Sequence, residues 1–139
     1  MVDAQDDDLE RCGALYESLI EAMSRREPDD ASLKFKWTAA SKTLFALRPQ
    51  LAPPWDRAMR DQHLRGGESY DGGGPSYVRF TKDVQGELQR TAKLCVQQGF
   101  TLNDLPQRLG RPDHTTAAQL MIGYYFVVIT KGAGPPPLA

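Results

Sequence analysis

Residues 38–62 read TAASKTLFALRPQLAPPWDRAMRDQ, and how this stretch divides decides the fold. Its first half carries Ala40, Ser41, Leu44 and Leu47 at spacings of three and four, the period of one helix face. Pro49 then ends that helix, because the residue before a proline disfavours helical backbone. Pro53-Pro54 suits the entry to a further helix, where a missing N–H costs nothing. The stretch therefore reads as the joint between two helices, with Trp55 and Asp56 at the head of the second.

Working outward, the joint is framed by more helical pattern. Asp6-Asp7-Asp8 puts negative charge where a helix start favours it. Leu9, Cys12, Tyr16, Leu19, Ile20 and Met23 follow at helical spacing, until Arg25-Arg26 and the stop at Pro28. Asp29-Asp30 can cap the next helix, predicted from Ser32 to about Leu47. Its apolar face holds Leu33, Trp37, Ala40, Ser41, Leu44 and Leu47, with Lys34, Lys36 and Lys42 largely off it. The third helix is predicted from Pro54 to Leu64 with Arg57 and Arg60, and Arg65 just beyond. Gly66–Ser76, GGESYDGGGPS, has five glycines and reads as a flexible connecting loop.

A fourth helix spans Tyr77–Gln98 by the stripe Tyr77, Phe80, Val84, Leu88, Thr91, Leu94 and Cys95, with Gly99 as its stop. A short helix at Leu102–Leu109, a Gly110-Arg111-Pro112 turn and a last element at Thr115–Thr130 complete the series. The first half of that element is helix-like. Its second half, YYFVVIT, has strand composition, so a helix throughout is favoured with a short strand as the alternative. The expected fold class is all-α: a compact orthogonal bundle of five to six helices, with at most one short C-terminal strand. Residues 1–132 form one domain in this reading, and the Pro-rich 133–139 a tail.

Bulk properties exclude several classes. The 139 residues make one domain's worth of chain, with 40% hydrophobic and 25% charged residues, ordinary for a globular protein. The longest apolar run, residues 117–130, falls short of the roughly 20 residues a membrane helix needs. Met1–Leu9 is acidic where a secretion signal is basic and then apolar, so a cytoplasmic location is expected. Cys12 and Cys95 sit at apolar helix positions and read as buried free thiols. The net charge of -1 hides an asymmetry: ten acidic against three basic groups in residues 1–30, eight against fourteen thereafter. A basic body of that kind fits either solubility or a polyanionic partner.

Catalytic patterns are sparse. His63 and His114 have no neighbouring cysteine or carboxylate at metal-ligand spacing, so neither a metal nor another cofactor is expected. No Gly-x-Ser-x-Gly turn exists, and the glycines at 66–74 lack the Gly-Lys-Ser/Thr ending of a phosphate loop. TLNDLPQRLGRPDHTTAAQL, residues 101–120, has the rhythm of a helix-turn-helix. Pro106 inside its first helix and the apolar continuation beyond Leu120 argue against that motif.

SKTLFALRPQLAPPWDRAMR, residues 41–60, resembles a segment of uncharacterised bacterial helical proteins: a Ser-Lys helix, a proline-bearing apolar link and an aromatic-Asp pair. That pattern is similar to the centre of base-excision DNA glycosylases of the helix-hairpin-helix class. There, a helix bearing Lys-Thr leads through a proline link to an Asp at the head of the next helix, and the Asp activates the group attacking the sugar. The resemblance implies Asp56 in that catalytic role, with Lys42 in place of the helix lysine. The glycine-rich hairpin of those enzymes has no counterpart in KFKWTAAS, residues 34–41, which contains no glycine.

Two readings of Asp56 therefore stand side by side. As a helix cap it contributes about 0.5–2 kcal/mol. As a catalyst it needs a partly desolvated pocket and a bound substrate. Trp55 beside it could stack on a base or ring, but a Trp following Pro-Pro is more often a core plug. The function expected is a non-enzymatic helical module binding a protein partner. The alternative is nucleic-acid binding through Lys34, Lys36, Arg48, Trp55, Arg57 and Arg60, with Lys42 and Asp56 for residual base excision.

Overall fold

The computed structural model describes residues 1–26, 33–57, 60, 70–112 and 115–123, and all regular structure among them is helical. The all-α expectation is what the chain adopts. Helix α1 covers Asp6–Arg26, α2 covers Leu33–Leu47 and α3 covers Gly74–Gln97. A 3-10 turn at Leu102–Asp104 leads into the single-turn α4, Leu105–Arg108, and residues 117–123 are helical again. The strand alternative for YYFVVIT falls on residues 124–130, outside the described residues.

Helix α1 begins where its charges predict. Asp6, Asp7 and Asp8 occupy the first turn and Arg25 and Arg26 the last, so both ends complement the helix dipole. The Asp8 carboxylate also accepts the Gln5 N–H at 3.2 Å, satisfying a donor just outside the helix. The face carrying Leu9, Cys12, Tyr16 and Ile20 is buried and packs against both α2 and α3.

The approach of α1 to α3 is set by a glycine. A Cβ on Gly13 would overlap the Val78 side chain, so any other residue there pushes the two helices apart. Four residues on, Glu17 acts on α3 from across the fold. Its carboxylate accepts the Gly74 N–H at 2.6 Å, at an α3 start where the N-cap residue, Gly73, makes no side-chain cap bond. A helix start that local sequence leaves uncapped is thus capped from 57 residues away.

Here the structure departs from the sequence reading. Residues 66–76 were expected as one flexible loop, yet Gly74, Pro75 and Ser76 already belong to α3, and Tyr70, Gly72, Gly74 and Ser76 are buried. Pro75 suits that first turn because proline lacks only an N–H that has no helical partner there. Gly72 has φ of +92°, and a Cβ on it would overlap the Trp37 ring. The glycines over this part permit close packing rather than freedom.

The core is an aromatic cluster where α1, α3 and the joint after α2 meet. Tyr16 and Tyr77 stack with centroids 4.3 Å apart and planes 15° from parallel. Trp55 closes on them edge-on, 5.3 Å from Tyr77 and 5.9 Å from Tyr16, and lies 5.1 Å from Phe80. Edge-to-face and offset arrangements of this kind add about 0.5–1.5 kcal/mol per pair beyond area burial. Cys12 and Cys95 are both buried free thiols, as their positions predict.

The far end of α3 follows the sequence closely. Gly99 has φ of +79°, and the Phe100 N–H returns to the Cys95 carbonyl at 3.2 Å, which closes the helix end. Thr101 and Asp104 then form a reciprocal capping box. The predicted helix at Leu102–Leu109 is split there, and Pro106 falls in the first turn of α4 instead of breaking it. The outlier is Leu94, assigned to the buried stripe but 60% exposed at the outward edge of α3.

Candidate functional site at the joint after α2

The joint is built on Ser41. Its Oγ lies buried on α2, 2.9 Å from the Thr38 carbonyl and 3.0 Å from the Trp55 carbonyl, and it accepts the Trp55 N–H at 3.2 Å. One hydroxyl therefore serves both main-chain groups of Trp55, and its single hydrogen is shared between two carbonyls. A buried polar group satisfied in this way fixes the link 48–55 against α2.

Trp55 is 1% exposed. Its indole N–H donates to the Tyr16 hydroxyl at 3.2 Å, and that hydroxyl donates to the Gly72 carbonyl at 2.9 Å. The Tyr77 hydroxyl donates to the Pro53 carbonyl at 2.8 Å. Each polar tip of the aromatic cluster is thereby used to tie the proline link and the glycine segment to the helices. Trp55 is a core plug, as a Trp after Pro-Pro suggests, and in this fold it offers no face to a nucleic-acid base.

Arg60, named among the binding candidates, is also taken up inside the fold. It is 2% exposed, with its guanidinium 5.4 Å from the Trp37 ring centroid and 5.8 Å from that of Trp55. Its Nη1 donates to Thr38 Oγ1 at 3.0 Å, and its carbonyl accepts the Tyr70 N–H at 2.9 Å. A planar cation between two indoles keeps its charge at low hydration cost, which an ammonium cannot do as well. Lys36, expected on the basic outer face, is 4% exposed. It lies one residue before Trp37 on α2.

The remaining candidates stand differently. Lys42, Arg48 and Arg57 are exposed, and the side chain of Lys34 lies outside the described residues. Asp56 is half-buried, and its carbonyl accepts the Arg60 N–H at 3.0 Å, the first turn of a helix that includes residues 57 and 60. This is the helix-head position predicted for it. Of the pair implied by the glycosylase resemblance, Asp56 lies at the joint and Lys42 points to solvent. The residue that reaches the joint from α2 is Ser41, next to Lys42 in sequence.

Electrostatics at the joint favour neutral, closed groups. Burial pushes the Tyr16 hydroxyl well above its ordinary range, outweighing the bond from Trp55 and the nearby Arg60 charge. Burial does the same to Tyr77. The Cys12 thiol is pushed up to about 11 by burial. None of these is a poised base or nucleophile at neutral pH. Among the described residues, no three His, Cys, Asp or Glu side chains gather as metal ligands, and no helix is long and apolar enough to cross a membrane.

Sequence reasoning missed Thr38, Tyr70 and Gly72 as parts of this arrangement. A signal existed for Ser41, a hydroxyl on an otherwise apolar face. None existed for Gly72, whose role appears only once Trp37 is placed against it. Set against known protein families, curated proteins and solved structures, the chain matches none.

Proposed function

We propose that this chain is a cytoplasmic helical interaction module that binds a protein partner and performs no chemistry of its own. The observation that carries this reading is how the joint spends its side chains. Trp55, Arg60 and Lys36, the groups best suited to gripping a nucleic acid, are taken up inside the fold, while Leu47, Leu94 and Val96 are each more than half exposed. Burying a large aliphatic side chain of this kind against a partner is worth about 1.5–3 kcal/mol. Aromatic and guanidinium groups already packed in the core contribute nothing to an outside ligand.

A second reading keeps one specific support. Lys42, Arg48 and Arg57 are exposed around the same joint, with Asp56 half-buried beside them. They would supply phosphate contacts in a nucleic-acid-binding protein related to helix-hairpin-helix glycosylases, with or without residual base excision.

Salt-titrated binding to single- and double-stranded DNA and RNA separates the two. The module reading expects no binding even at low ionic strength, and photo-cross-linking from position 94 or 96 in cells to one protein, lost in Leu94→Glu or Val96→Glu. Nucleic-acid binding that falls steeply with salt and disappears in Lys42→Glu/Arg48→Glu would overturn it.

A further inference from the structure

We draw no further inference here: the strongest candidate, the cleft of about 180 Å³ between the N-terminal turn and the 3-10 turn, floored by Leu88, Leu102 and Ala118, carries nothing because its polar rim of Asp3, Gln50 and Asn103 is solvent-exposed and nothing in the structure shows what would occupy it.

Discussion

Ser41 holds Trp55 by both of its main-chain groups, with the Trp55 N–H 3.2 Å and the Trp55 carbonyl 3.0 Å from one buried hydroxyl. Because α2 is rigid, this pair fixes where the chain re-enters the core after Pro53-Pro54, and with it the position of Asp56. Ser41→Ala removes the hydroxyl and leaves a buried N–H without its acceptor, a loss of about 1–3 kcal/mol. Urea unfolding followed by tryptophan fluorescence measures it. A change below a few tenths of a kcal/mol would show that the Ser41 hydroxyl does not hold the joint.

Gly72, just before α3, is predicted to tolerate no side chain. Gly72→Ala meets both a positive φ and the Trp37 ring, while Gly99→Ala meets a positive φ with open space around it. Left-handed strain costs roughly 1–2 kcal/mol, and overpacking adds about 1–3. Gly72→Ala is therefore expected to lose about 2–5 kcal/mol and Gly99→Ala about 1–2. Equal losses in the two variants would refute the packing role of Gly72.

Arg60 acts as a core residue, so its loss is expected to appear in stability. Arg60→Lys keeps the charge but gives up the guanidinium contacts with the Trp37 and Trp55 rings, at about 1–2 kcal/mol. Arg48→Ala, at an exposed position, is expected to stay within about 0.5 kcal/mol of the parent. Thermal melts of both variants decide the point. The assignment fails if Arg60→Lys melts with the parent.

Alkaline pH should unfold the protein through its aromatic core. Tyr16 and Tyr77 both have pKa values raised above the ordinary 10.0 by burial. In the unfolded chain they ionise near 10.0, while in the folded chain they stay protonated. The folded state thus binds more protons, and stability falls as pH rises. Their contribution is fully present below about pH 10 and is lost progressively above it, towards the raised folded values. Denaturant midpoints from pH 7 to 11 test this, with Tyr77→Phe expected to flatten the alkaline decline. Cys12, pushed up to about 11, should in the same range resist alkylation until the chain unfolds.

Much of the helical frame was legible from residue periodicity. Helix α1 and most of α3 were readable because an amphipathic helix writes its buried face at spacings of three and four, and because Asp6-Asp7-Asp8 and Gly99 mark their ends. Leu94 and Leu47 were misassigned because periodicity finds an apolar stripe without saying how far a neighbour extends to cover it. Lys36 was misassigned for the converse reason: a charge off the apolar face reads as solvated, and spacing along one helix does not say whether that flank is covered. GGESYDGGGPS read as a flexible loop because glycine's signal is the same whether it buys freedom or close approach.

The joint shows where the boundary lies. Local sequence determined that a helix stops near Leu47, that proline restarts the chain and that Asp56 stands at a helix head, since each follows from backbone sterics and capping within a few residues. Trp55 after Pro-Pro already reads as a core plug, but only the tertiary structure decided what it packs against and that Arg60 faces inward with it. Their direction depends on Tyr16, Trp37 and Gly72, which lie 39, 23 and 12 residues away along the chain from Trp55 or Arg60. Contacts over such separations carry no periodic trace in the sequence. They are fixed when α1, α2 and α3 close around one aromatic cluster, in which the Trp55 indole N–H meets the Tyr16 hydroxyl and the Tyr16 and Tyr77 hydroxyls meet the main chain.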